Sequence, residues 1–179
     1  MTGVQTCALP ISSPTITNVS CNGANNGYAE VFPLPPGVIP PNYDVYYNGS
    51  LSPTNVFTPL LPGTFTVEVI NTMTGCSSGI EIFTITEPAN IIINPSVIPA
   101  SPVCEGTSIV LSVSGSATSY SWNHGLGAGT SHAFTPSVGT TNYTVTGTVG
   151  PCINSATISV TVDPMPVLTV TPDYTICSG

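Results

Sequence analysis

The 179-residue sequence contains no lysine and no arginine. Its formal charge of −8 comes from eight acidic residues, and two histidines are the only side chains able to carry positive charge near neutrality. Nucleic-acid affinity rests on cations that neutralise phosphates, and attraction to anionic lipid rests on the same groups. Neither partner class is expected. Long apolar runs are missing as well: none approaches the ~20 residues with which a helix spans a bilayer, so no membrane insertion is expected. No stretch keeps an apolar period of 3.6 long enough for a stable helix. The N-terminus has neither a basic n-region nor an apolar core ahead of a small-residue cleavage site, so an exported parent would carry its leader upstream.

What remains is apolar without being charged. Hydrophobic residues make up 41% of the chain and mean hydropathy is positive, +0.36. A disordered chain would combine low hydrophobicity with a polar bias, so this composition points instead to packed cores whose surfaces are covered by Ser, Thr and Asn. With 19 Pro and 17 Gly, turn signals recur about every ten residues. The length allows one large domain or two small ones, and the strand pattern favours two.

Period-two alternation marks the strands. In a first unit they fall at Thr15–Val19, Tyr28–Phe32, Tyr43–Tyr47, Thr64–Ile70 and Ile80–Ile85. The clearest is Thr64–Ile70, where Phe65, Val67 and Val69 point one way and Thr64, Thr66 and Glu68 the other. In a second unit they fall at Ile91–Ile93, Ser108–Val113, Ser119–Trp122, Asn142–Thr146 and Ala156–Val162. Its inward rows are Ile109/Leu111/Val113, Tyr120/Trp122 and Ile158/Val160/Val162, with Trp122 at the centre. Such rows suit pairs of packed antiparallel sheets, and the expected fold class is all-β, tandem Ig-like antiparallel β-sandwich domains. Without lysine, the sheet edges must be protected by proline and by short strands.

Several segments carry a resemblance. Val19-Ser20-Cys21-Asn22-Gly23, Asn25-Asn26-Gly27-Tyr28, Leu61-Pro62-Gly63-Thr64-Phe65-Thr66-Val67, Thr74-Gly75-Cys76 and Ile85-Thr86-Glu87-Pro88 resemble the SprB-type repeat of gliding-motility adhesins and other large surface proteins of Bacteroidota. In that family an aspartate usually follows the Val-x-Val strand, whereas Asn71 stands here. Val103-Cys104-Glu105-Gly106, Tyr120-Ser121-Trp122, Thr140-Thr141-Asn142-Tyr143-Thr144-Val145 and Gly150-Pro151-Cys152 resemble, more loosely, the Ig-like or PKD-like domains of the same giant proteins. The resulting division is residues 12–89 for the SprB-type repeat and 90–164 for the Ig-like/PKD-like domain. Residues 165–179 read as the truncated start of a further repeat, because Ile176-Cys177-Ser178-Gly179 echoes Val103-Cys104-Glu105-Gly106 at a spacing of 73 (177 − 104). Residues 1–11 are set aside as an artefact, since Thr2–Ile11 resembles the conceptual translation of a sequencing-library adapter. The resemblance implies export, by type IX secretion, to an extracellular or cell-surface location. It further implies a role in adhesion or as a spacer, with neighbouring repeats of the same chain and a surface glycan or protein as partners.

In an exported protein Cys21, Cys76, Cys104 and Cys152 are disulfide candidates, at two recurring places in each unit. One scheme pairs Cys21 with Cys76 and Cys104 with Cys152. Ig-like topology can put the two places at opposite ends of the sandwich, so a second scheme links Cys21 to Cys152 across the junction, and a third leaves the cysteines unpaired. No Cys-x-x-Cys spacing suggests a metal, and no cofactor is expected. His124 and His132 read as exposed loop residues without a positioned partner, and no Gly-x-Ser-x-Gly elbow is present, so no enzyme is expected and no catalytic residue is named. The acidic residues are scattered, unlike a calcium loop. Glu87 and Asp163, at the ends of the units, read as solvated. Of Tyr43, Tyr46 and Tyr47, alternation leaves Tyr46 as the candidate ligand contact. The leading function is a structural or adhesive repeat module. The alternative is a carbohydrate-binding accessory module of a secreted polysaccharide-degrading enzyme.

Overall fold

The computed structural model describes residues 13–31, 39 and 41–169, which form strands, turns and irregular segments with no helix. The set-aside segment 1–11 and the echo around Cys177 lie outside the described residues. The chain divides into two compact units, Met1–Asn90 and Ile91–Gly179.

The first unit contains β1 (Thr15–Thr17), β2 (Gly27–Glu30), β3 (Tyr43–Tyr47), β4 (Ser50–Ser52), β5 (Val56–Leu60), β6 (Gly63–Asn71), β7 (Cys76–Ser77) and β8 (Glu81–Ile85). One sheet has the order β1-β2-β5 and the other β4-β3-β6-β7, with β8 also on β6. One edge of β6 carries β3, and its other edge is shared end to end by β8, at Gly63–Val67, and β7, at Ile70–Asn71. The inner faces enclose a core built on Val31, Val45, Val67 and Ile85, with Phe65, Tyr43 and Tyr47 packed against it. Tyr47 of β3 stacks on Phe57 of β5 with ring centroids 4.3 Å apart, joining the two sheets, and the row continues through Phe65 to Phe83. Offset stacking of this kind adds to the area that the rings bury.

The second unit contains β9 (Ile93–Ile98), β10 (Val103–Cys104), β11 (Ile109–Gly115), β12 (Ser119–Trp122), β13 (Gly127–Ala128), β14 (Ser131–Phe134), β15 (Gly139–Val149) and β16 (Cys152–Asp163). Its sheets run β10-β16-β15-β12-β13 and β14-β11-β9. Its core is its own: Ile109, Leu111, Val145, Val160, Val162 and Trp122. Trp122 is buried, and its Nε1–H donates to the Gly129 carbonyl at 3.2 Å, so the ring fills the core without stranding its donor. One contact departs from the antiparallel expectation, since β10 lies parallel to β16, with Val103 opposite Val162.

The edge strands show how a chain without lysine manages exposed backbone. Among the described residues β1, β4, β10 and β13 have at most three residues each, while β5 and β9 carry Pro59 and Pro95. Proline offers no N–H to an incoming strand, and a short edge offers few. The outer face of β15 and β16 is a ladder of hydroxyls, with Thr140 opposite Thr161 at 3.0 Å and Thr144 opposite Thr157 at 2.9 Å.

Candidate functional site

The motif residues of the first unit are spent on its frame. Val19 is a core residue. Asn26 closes the turn after it, accepting from Ser20 N–H at 3.0 Å and donating to Ser20 Oγ at 2.9 Å. Gly23 adopts φ +73, a conformation costly for other residues, and its N–H donates to Glu87 Oε2 at 2.8 Å. Asn22 donates to the Pro88 carbonyl. Gly27 has no room for a side chain, since a Cβ there would stand 2.8 Å from both Ile85 Cγ2 and the Leu60 carbonyl. Asn71 Oδ1 accepts from the backbone N–H groups of Met73 and Thr74, at 3.0 and 3.1 Å, and so holds the Thr74-Gly75-Cys76 turn. An amide oxygen serves that acceptor role as an aspartate would.

Register fixes where the cysteines lie. Around Cys21, Val19 N–H donates to the Thr86 carbonyl and Gly23 N–H to Glu87, which places Cys21 at the Ile85 end of the unit. Cys76 sits opposite Asn71, while Ile85 sits opposite Gly63. The eight steps from Gly63 to Asn71 cover roughly 26 Å, so Cys21 and Cys76 occupy opposite ends. In the second unit Cys104 sits opposite Asp163, and Cys152 sits at the far end of the same strand, opposite Val149. Eleven steps of β16 separate the two ends by roughly 36 Å, and a disulfide needs Cα atoms within about 7 Å. The within-unit scheme, Cys21 with Cys76 and Cys104 with Cys152, is therefore corrected: sulfurs at opposite ends of a rigid sheet do not meet. Cys104 is a free, exposed thiol. Cys21, Cys76 and Cys152 are each disulfide-bonded.

The histidines separate in character. His124 is exposed in a turn at φ +54, with Nε2 3.1 Å from the Asn142 carbonyl and its ring on Tyr143. His132 is not an exposed loop residue, which corrects the sequence expectation: it lies half-buried on β14, edge-on to Trp122 at 6.3 Å, and its Nε2 is buried without a hydrogen-bond partner. Among the described residues no group of three or more His, Cys, Asp or Glu is arranged to hold a metal. The end-of-unit acids Glu87 and Asp163 are both exposed, and Glu87 also accepts from Gly23 N–H; Glu105 Oε2 accepts from Met165 N–H at 3.2 Å. Glu30 is buried and takes a 2.6 Å hydrogen bond from the Tyr28 hydroxyl. That bond, with desolvation and the carboxylate charge, raises the Tyr28 pKa above its ordinary value of 10.0.

Tyr46 is set apart from its neighbours by alternation. Tyr43 and Tyr47 pack on the core, whereas Tyr46 is half-buried on the outer face of β3. It lies in register with Leu51 on one side and Glu68 on the other. An open cleft of about 70 Å³ is lined by Tyr46, Gly49, Thr66, Val67, Glu68 and Ile80. The hydroxyl of Ser77 donates to Glu68 Oε1 and fixes the carboxylate. Strand alternation already put Glu68 and Thr66 on an outer row. The pairing of that row with Tyr46, and the arrival of Ile80 from the loop before β8, had no signal in the sequence.

No family model matches the chain, and no curated protein matches it. Among solved structures it is similar to three N-terminal domains of the highly immunogenic outer capsid protein Hoc of bacteriophage RB49, at 14% identity and a TM-score of 0.42, over 84% of this chain and 58% of that one. It is also similar to fibronectin(III)-like modules of CbhA from Clostridium thermocellum, at 11% identity and a TM-score of 0.33, over 83% of this chain and 90% of that one. A third likeness is to domains 4 and 5 of the S-layer protein SbsC, at 14% identity and a TM-score of 0.30, over 87% of this chain and all of that one. The chain thus spans 58% of the length of the capsid-protein fragment, and likeness at these identities concerns the fold alone.

Proposed function

We propose that this chain is a structural and adhesive repeat module of a large secreted or cell-surface protein, an SprB-type repeat followed by an Ig-like/PKD-like domain. The observation that carries the reading is the use to which the motif residues are put. Ser20, Asn22, Gly23, Asn26, Gly27, Asn71 and Glu87 all brace turns or close packing, as a repeat selected to reproduce its own frame would require. Disulfide-bonded cysteines support an oxidising, extracytoplasmic location. Linkage of Cys21 to Cys152 forms part of the proposal, consistent with both being disulfide-bonded. Such cross-links suit a load-bearing array.

The test is modularity. The chain's one tryptophan, Trp122, reports on the second core. Leu111→Ala should cost about 2–5 kcal/mol and lower the fluorescence-monitored melting midpoint, while Val67→Ala in the first core should leave it in place. A shift of equal size from both variants would contradict separate modules. The second reading, an accessory module of a polysaccharide-degrading enzyme, is favoured by the cleft at Tyr46. A catalytic domain in the neighbouring coding sequence would support it, and further repeats with a C-terminal sorting domain would support the first reading.

A further inference from the structure

The outer face of β3 and β6 differs from the hydroxyl-covered faces elsewhere in the molecule. Leu51 and Ile82, in register with Tyr46 and Thr66, are 62% and 67% exposed, and Ile80 is 67% exposed. Leu51 is in register with Tyr46 and Ile80 shares its cleft, and exposed apolar side chains beside an aromatic ring mark a surface meant to be covered. Within that apolar rim stands a carboxylate. Ser77 occupies Glu68 Oε1, and Oε2 makes no hydrogen bond among the described residues.

We infer that the cleft formed by Tyr46, Glu68, Thr66 and Ile80 is a binding site for a neutral saccharide. The inference holds whether the unit serves as a stalk or as an accessory module. A pyranose ring presents an apolar C–H face to an aromatic ring and hydroxyl donors around its edge. Tyr46 receives the face, and Glu68 Oε2 and Thr66 receive the edge, the usual division of a ligand site into apolar lining and a few placed polar groups. The cleft itself admits a hydroxymethyl arm or a few waters, with the ring seated above it.

Charge decides among occupants. The chain has no lysine or arginine and a formal charge of −8, so an anionic saccharide meets repulsion with no cation to pair it. A protein partner fits less well. Covering Glu68 with an apolar protein surface would desolvate a carboxylate without a counter-charge, and a stable protein interface takes about 800 Å² from each side. A neutral polyol carries the donors that the carboxylate needs and imposes neither cost.

The experiment is calorimetric titration of the full chain with cello-, laminari- and manno-oligosaccharides, and with oligogalacturonate as the anionic probe. Saturable binding of at least one neutral series is expected. Tyr46→Ala should weaken it by about tenfold or more, Tyr46→Phe should retain it, and Glu68→Gln should weaken it without abolishing it. Melting curves of the variants confirm that each remains folded, and Tyr46→Phe keeps the ring if the alanine variant does not. Absence of binding by all the neutral series, equal binding by Tyr46→Ala, or oligogalacturonate binding as tightly as the neutral sugars would each overturn the inference while leaving the repeat-module reading intact.

Discussion

Cys104 lies opposite Asp163, at the end of β16 farthest from Cys152. The register of one long strand therefore settles a question that counting cysteines leaves open. A small secreted sandwich is usually expected to staple its own sheets together. In each unit here the two cysteines of the within-unit scheme stand at opposite ends of the sheet, too far apart to staple it to one another.

Thiol labelling should follow that placement. Of Cys21, Cys76, Cys104 and Cys152, only Cys104 is expected to take up iodoacetamide without prior reduction. Non-reducing peptide mapping should recover a Cys21–Cys152 linkage and neither within-unit pair. A Cys104–Cys152 peptide from folded protein would mean that the strand register is wrong.

Asn71 supplies an acceptor to two backbone donors at once. Asn71→Asp retains an oxygen in the same place and should leave the melting temperature nearly unchanged. Asn71→Ala strands both N–H groups of the turn and should cost about 1–2 kcal/mol. Chemical denaturation of the two variants measures the difference, and an equal loss in both would show that the amide nitrogen matters instead.

Gly27 is a packing constraint of another kind. An added methyl would press against Ile85 and the Leu60 carbonyl at 2.8 Å, and the backbone atom cannot swing aside. Gly27→Ala should destabilise the first unit by about 1–3 kcal/mol. Denaturation followed by tyrosine absorbance would reveal it, and a neutral outcome would mean that β2 and β5 can separate at no cost.

Tyr28 gives the first unit a dependence on alkaline pH. Its folded pKa is raised above 10.0, first by the hydrogen bond to Glu30, so the neutral phenol is the form that folding favours. The contribution is fully present below pH 10 and is lost as pH rises through the folded value. Tyr28→Phe removes the ionisable group, and its stability should fall less steeply above pH 10 than that of the parent. Parallel slopes in the two proteins would place the alkaline sensitivity elsewhere.

Strands that bury one face were legible. The rows Ile109/Leu111/Val113 and Phe65/Val67/Val69 turn inward because side chains on a pleated strand alternate, and apolar residues on one side can only be a core. Strands that break alternation were not. β5 contains Thr58 and Pro59 exposed side by side, and a register shift interrupts its pairing with β2 between Gly27 and Ala29. The pattern that identifies a strand was erased there by the device that makes it a safe edge. Tyr46 could be assigned to an outer row from alternation, but the partners across the sheet could not, since pairing depends on which strand arrives beside it.

By itself, the sequence determined that the chain is all-β, that its surface is covered by hydroxyls and amides in place of cations, and that turns fall where Gly, Pro and Asn cluster. These are local matters, governed by side-chain chemistry and a repeat of two residues. Only the tertiary structure decided which cysteines face away from each other, which carboxylate stands beside Tyr46, and which histidine is half-buried against Trp122. Each of those is a relation between residues far apart in the chain, fixed by strand register, and register is a property of the assembled sheet that no single strand contains.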